Sequence, residues 1–350
     1  SDGSGQSNWQ PLDVASNLGY SSAPDFSCAA LKSSTASGPY PYGVAASGNF
    51  AYVIDLSSDD LKVFDVSDPA APVQTGSVAM GSFPEEIVVS GNYAYVIDLS
   101  ASDLKVIDVS VASAPVVVGS TAVGTSPDGM AVSGNYVYVV NGGSNDLKVI
   151  DVSDPTTPVV AGSLVLGGAL RAVAVSGSYA CVVDATNDEL KVIDVSDPAT
   201  PILTGSLAIG TSPWDVEISG SYALIIDTGS DDLKVVNISD PALPTLEGNV
   251  GLGFAPYALQ LNGNYAFVID NSANDLKVVN FTDPTNPTVE VSIPAGSAPS
   301  GLSVQENLAY IVDDTDGDLK VFELSCVTST AVYYDIFSGS LAAGPEDNDQ

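Results

Sequence analysis

The chain has 350 residues, 45% of them apolar, with 32 Gly, 22 Pro and three Cys. It carries 43 acidic side chains against nine basic ones, a formal net charge of −34, and no histidine. The missing imidazole excludes Ser-His-Asp and Cys-His catalysis, His-ligated zinc and a histidine pH switch. The charge argues against nucleic acid and anionic membrane surfaces as partners. No apolar run reaches the ~20 residues of a spanning helix, so membrane insertion is not expected.

Residues 1–27 read as an N-terminal extension, since Ser1 to Ser7 are rich in Gly, Ser and acid. The start at Ser1, without Met or an apolar leader, fits a removed signal peptide or a trimmed chain. From there a repeat takes over. The tetrapeptide acid-Leu-Lys-Val recurs with its leucine at Leu61, Leu104, Leu147, Leu190, Leu233, Leu276 and Leu319, always 43 residues apart. One array therefore fills residues 28–326, and the chain is one domain rather than several.

Each unit predicts four short strands. Glu86-Ile87-Val88-Val89 is a first, apolar strand, followed by the tight turn Ser90-Gly91-Asn92. Tyr93 to Asp98 is a second strand rich in aromatic and β-branched residues. A polar hairpin leads to the third, Leu104 to Val109. A Ser-Asp-Pro-x-x-Pro turn, as at Ser153 to Pro158, precedes a fourth such as Val159 to Gly162. Strands apolar on both faces suit blades sandwiched between blades. The expected fold is all-β: a seven-bladed β-propeller of four-stranded blades with a 43-residue repeat and two terminal extensions.

The units Ala51-Tyr52-Val53-Ile54-Asp55 and Leu61-Lys62-Val63-Phe64-Asp65-Val66-Ser67-Asp68-Pro69 resemble the LVIVD-type repeat of bacterial and archaeal surface propellers. The resemblance covers residues from about 28 to 326. It implies an extracellular or cell-surface setting and no catalytic activity.

The last unit stops after its third strand, at Leu324-Ser325-Cys326. Shifting the frame by one repeat puts Ala30 to Ser34 in the missing fourth-strand register, so the N-terminal segment is expected to close the ring. Cys326 stands in the register of Asp68, and Cys28 in that of Ala71, three positions on in the same turn. A disulfide between them would replace the covalent turn cut at that point, and would place folding in an oxidising compartment. Cys181 stands where other units have Tyr or Phe, and reads as an inert packed thiol.

Three features are candidates for function. The second-to-third-strand hairpins are acid-rich (Asp55/Asp59/Asp60, Asp184/Asp188/Glu189, Asp227/Asp231/Asp232), read as a solvated acidic ring on one face. In the last hairpin, Asp314, Asp316 and Asp318 alternate around Gly317, a pattern able to hold calcium, though without the bidentate Glu of an EF-hand. The residue opening each innermost strand departs from the repeat: Tyr42, Glu85, Asp128, Arg171, Trp214, Tyr257 and Ser300, with Glu86 and Asp215 one position on. These should ring the mouth of the central channel, where ligands of propellers gather. The plain alternative is that Arg171 only neutralises acids around a narrow, plugged channel. Asn237-Ile238-Ser239 and Asn280-Phe281-Thr282 have the form of glycosylation sequons but fall within strands.

The C-terminal extension 327–350 contains a strand-prone stretch with Val332, Tyr333, Tyr334, Ile336 and Phe337 and no place in the seven-blade count. Donated to the outer edge of a neighbouring copy, it would build a homopolymer. The expected function is thus a non-catalytic extracellular structural or interaction protein, in one form the self-assembling subunit of a surface filament or layer. The alternatives are a propeller binding a glycan or cation at the channel mouth, and a carboxylate-only glycosidase or lyase pairing Glu85 or Glu86 with Asp128 or Asp215.

Overall fold

The structure, a computed structural model, describes residues 24–325 apart from Ser82. These residues form seven four-stranded antiparallel sheets. Blade one shows the pattern, with strands Pro41–Ser47 (inner), Phe50–Asp55, Asp60–Asp65 and Val73–Ala79 (outer). The inner strands of blades two to seven are Pro84–Ser90, Pro127–Ser133, Leu170–Ser176, Pro213–Ser219, Pro256–Asn262 and Pro299–Gln305. Blade seven takes its outer strand from the other end of the chain: Ala30–Ala36 pairs with Asp318–Glu323. The seven-bladed propeller read from the repeat is the fold observed.

The second and third strands are buried on both faces because alternate side chains enter different interfaces. Tyr52, Ile54, Leu61 and Val63 of blade one pack with Ile87, Ala94, Val96 and Ile107 of blade two. The intervening Ala51, Val53 and Phe64 pack instead with Tyr310, Val312, Leu319 and Val321 of blade seven. Each fully buried Ile, Leu or Phe contributes about 1.5–3 kcal/mol, so every blade is stabilised mainly by its two neighbours.

Backbone approach sets the outer spacing. A Cβ on Gly76 would stand 2.3 Å from the Ala112 carbonyl oxygen in the turn of blade two, and the outer-strand glycines Gly119, Gly162, Gly205 and Gly248 face the next turn in the same way. The seam breaks this rule. Val291 takes the glycine's place in blade six, because the turn that would approach it is the one cut in blade seven. It packs instead in the cluster of Phe26, whose ring meets Tyr265 edge-on at 4.9 Å. In blade seven Ser33 holds that position and donates to the Pro69 carbonyl at 2.7 Å.

Candidate functional site

Every inner strand opens with a β-bulge, as between Pro84 and Glu86, Pro127 and Gly129, and Pro213 and Asp215. A bulge re-aims side chains at a sheet edge, and here it places the variable residues on the central channel. Tyr42, Glu85, Asp128, Arg171, Trp214 and Tyr257 all line one cavity of about 460 Å³. Most are linked in sequence around the mouth. Arg171 lies 3.6 Å from Asp128 and stacks over Trp214 at 4.9 Å. Trp214 meets the Tyr257 ring at 5.7 Å, and the Tyr257 hydroxyl meets that of Tyr42 at 2.5 Å. Ser300 lines the same cavity but is buried, its hydroxyl within reach of the Pro41 and Val312 carbonyls; it joins strands rather than facing a ligand.

Burial and the neighbouring Asp128 push Glu85 up to about 7, against the opposing pull of Arg171. Burial also raises Asp128, again opposed by Arg171. Burial raises Tyr42 and Tyr257, which stay neutral hydroxyls.

Asp215, expected among the ligand-binding residues, is otherwise engaged. Its two carboxylate oxygens accept from the Val216 N–H at 2.8 Å and from the Leu259 N–H at 2.9 Å, so it braces blade five to blade six. Burial pushes it up to about 6 against those two hydrogen bonds. Glu86, in the same register of blade two, accepts from the Met130 N–H of blade three, while burial and Asp215 hold it well above the ordinary carboxylate range. Glu217, which the sequence reading missed, lies one channel layer deeper. Burial and Asp215 push it up to about 8, and the Gln260 amide donates to it at 3.0 Å. Its signal was available: the corresponding positions of blades two to four are Val88, Ala131 and Ala174. The Oε2 atoms of Glu85 and Glu86 and the Arg171 Nε are shielded from solvent and have no hydrogen-bond partner.

The hairpin acids divide into two kinds, which corrects their reading as a solvated ring. Asp55, Asp98, Asp184, Asp227, Asp270 and Asp313 are buried at the ends of the second strands. Each pairs with the repeat's lysine: Lys62 at 2.8 Å, Lys105 at 3.4 Å, Lys191, Lys234 at 3.2 Å, Lys277 at 3.3 Å and Lys320 at 3.0 Å. Blade three substitutes Asn141, which donates to Asp146 and the Val123 carbonyl, and Lys148 pairs with Asp146.

The metal candidate is rearranged by the same pairing. The carboxylates brought within ligating distance of one another are Asp313, Asp316 and Asp318. Asp314 accepts instead from the Thr315 hydroxyl and lies beside Tyr40. The Lys320 ammonium bonds all three converging acids, at 3.0, 2.9 and 2.7 Å. A calcium ion would have to displace it.

Cys181 is a buried free thiol, pushed up to about 12 by burial. Cys326, the expected partner of Cys28, lies outside the described residues, as do Val332, Tyr333, Tyr334, Ile336 and Phe337. Both sequon asparagines use their side chains within the fold: Asn237 donates to Glu247 and accepts from the Ser239 N–H, and Asn280 does the same with Glu290 and the Thr282 N–H. Among the described residues no helix is long and apolar enough to cross a membrane.

No curated protein matches the chain in sequence. Solved structures share its architecture at low identity. A protein of unknown function from Desulfotomaculum acetoxidans superposes with a TM-score of 0.68 at 14% identity, over 78% of this chain and 92% of that one. Hydrazine synthase of Kuenenia stuttgartiensis gives 0.65 at 16%, over 81% and 95%. The periplasmic gluconolactonase of Pseudomonas aeruginosa gives 0.63 at 14%, over 74% and 86%. At these identities the likeness is one of fold. The LVIVD repeat itself matches residues 40–80, 84–123, 126–165, 167–208, 210–251 and 258–293, six blades running from the first to the one before the seam. With these matches over more than half its length, the chain belongs to the LVIVD-repeat family.

Proposed function

We propose that this protein is a non-catalytic extracellular interaction propeller that takes a small polar ligand into the mouth of its central channel. The supporting observation is where the repeat varies. In a frame repeated every 43 residues, the residues that change from blade to blade converge on one cavity, with aromatic rings, a guanidinium and carboxylates together. That mixture of apolar walls and a few convergent polar groups is what binding pockets use. The extracellular setting rests on the proposed pairing of Cys28 with Cys326. A structural role in a surface filament or layer rests on the segment after residue 326.

One observation favours a second reading. Glu85 titrates near neutrality beside Asp128, the state a carboxyl group needs to act as general acid or base. On that reading the mouth would host hydrolysis or elimination by carboxylates alone.

A thermal-shift screen of sugars, amino acids, amines and calcium tests both. Stabilising compounds should lose their effect in Trp214→Ala while circular dichroism shows the fold retained. Ligands that bind equally well to Trp214→Ala, or no ligand at all, would refute the binding reading. Turnover of a bound compound that disappears in Glu85→Gln would establish the second.

A further inference from the structure

Five carboxylates, those of Glu85, Glu86, Asp128, Asp215 and Glu217, line the central cavity, and Arg171 is the cation among the residues lining it. Three of the five are accounted for. Asp215 accepts two backbone N–H groups, Glu217 accepts from Gln260, and Asp128 has Arg171. The Oε2 atoms of Glu85 and Glu86 remain, shielded from water and without a donor. A buried carboxyl group left in that state takes up a proton or meets an arriving charge; burial and Asp215 favour the proton on Glu86, which leaves Glu85 as the group for a charge to meet.

The walls around these two acids are aromatic. Tyr42, Trp214 and Tyr257 line the cavity. Tyr40, Phe83 and Phe254 stand exposed in the loops leading into the inner strands of blades one, two and six. Faces of aromatic rings attract cations, most strongly when water is excluded. The protein already uses this attraction once, in the Arg171 guanidinium held over Trp214 and beside Asp128.

We infer that the channel mouth binds an organic cation, an alkylammonium group whose charge meets Glu85 and whose methyl or methylene groups lie against Tyr42, Trp214 and Tyr257. This rests on the binding reading above and adds the ligand's class. A neutral sugar would leave an ionised Glu85 uncompensated, and an anion would meet it in a protein of net charge −34.

Protonation supplies a signature. The charged and titratable groups around Glu85 are Asp128, Arg171, Glu86, Tyr42 and Tyr257. Burial and Asp128, against the pull of Arg171, leave Glu85 titrating at about 7. A bound cation favours the ionised form, so affinity falls as pH drops through 7, by about tenfold per unit below it.

Calorimetry on the full chain tests this with choline and n-butylammonium against the neutral isostere 3,3-dimethylbutan-1-ol, at pH 5.5, 7.0 and 8.5. Both cations should bind, the alcohol at least tenfold more weakly, and the cation affinity should follow the pH trend. Glu85→Gln should weaken cation binding about tenfold or more at pH 8.5 and flatten its pH dependence. Arg171→Ala, folded by circular dichroism, should strengthen it at pH 8.5 by freeing Asp128 and the Trp214 face. Alcohol binding equal to that of the cations, a flat pH profile, or weakened binding in Arg171→Ala overturns the cation assignment. So does silence of both cations while neutral ligands from the screen still depend on Trp214; only the absence of any Trp214-dependent ligand overturns the binding reading as well.

Discussion

Replacing Lys62 with Met leaves the Asp55 carboxylate buried without its cation. In the native protein one oxygen accepts from Lys62 Nζ at 2.8 Å. The other accepts from the Ser57 and Ser58 N–H groups at 2.8 and 3.2 Å. At that ammonium distance and an effective dielectric constant of ~20, the attraction is about 6 kcal/mol. Desolvation of two ions opposes it by several kcal/mol each, so the intact pair nets little. Removing one partner leaves the other's desolvation uncompensated and costs about 3–5 kcal/mol. Met keeps an unbranched stem in the space of the lysine chain, so the loss reports charge rather than a cavity. The pH dependence has a definite sign. Burial pushes Asp55 up, but the bonds from Lys62 and the two N–H groups outweigh it and hold the carboxyl below its usual 3.8. Its contribution is therefore present above that value and lost as pH falls through the lower, folded one. Without Lys62, burial prevails and Asp55 takes up a proton on mild acidification. Urea unfolding should show a loss of about 3–5 kcal/mol at pH 7 and one smaller by about 1 kcal/mol or more at pH 4.5. The double variant Asp55→Asn/Lys62→Met should recover more than half. A loss below about 1 kcal/mol at pH 7, or equal losses at both pH values, would refute the pairing argument.

Other outcomes are testable with little more than mass and melting curves. The turn after the first strand carries glycine at φ near 58° in six blades, from Gly48 to Gly263, but Glu306 at φ 53° in blade seven; Glu306→Gly should raise stability by about 0.5–1 kcal/mol by calorimetry. Alkylation without reductant should label no cysteine in the native protein and one, Cys181, after unfolding; three labelled cysteines would refute the Cys28–Cys326 bond. If that bond forms, its loop should make Cys28→Ser less stable by roughly 4–5 kcal/mol. Deletion of residues 327–350 should leave a folded propeller that no longer polymerises, as seen by electron microscopy; unchanged assemblies, or a full-length monomer at high concentration, would remove the homopolymer proposal.

The fold was legible because a propeller is a repeat, and the acid-Leu-Lys-Val spacing fixed both the number of blades and the closing strand. The margins were less so. The third strand of blade two, expected from the pattern over Leu104 to Val109, runs Asp103–Asp108, since the acid that opens it pairs across the hairpin with Asp98. Tyr42, Glu85, Asp128, Arg171, Trp214 and Tyr257 were legible as departures from the frame. The role of Asp215 was not, because the Leu259 N–H that it accepts belongs to the next blade. The buried acids were hidden for a related reason. Asp55 looks like any hairpin carboxylate until Lys62, seven residues on, folds back over the turn to meet it. A sequence shows which residues are acidic, whereas solvent exclusion depends on neighbours brought in by the ring.

Among the described strands, the one that closes the ring comes first in the chain and pairs with the one that comes last. Blades one to six each pair four strands contiguous in the chain, whereas Ala30–Ala36 has its partner almost 300 residues away. Only when Asp318–Glu323 has been made can the two edges meet. Until they meet, blade seven offers an unpaired edge that any other copy's free N-terminal strand fits equally well. At high concentration during refolding, exchange of this one strand between chains competes with closure and yields swapped oligomers. Monomer recovery should therefore fall as refolding concentration rises, even though every blade is native.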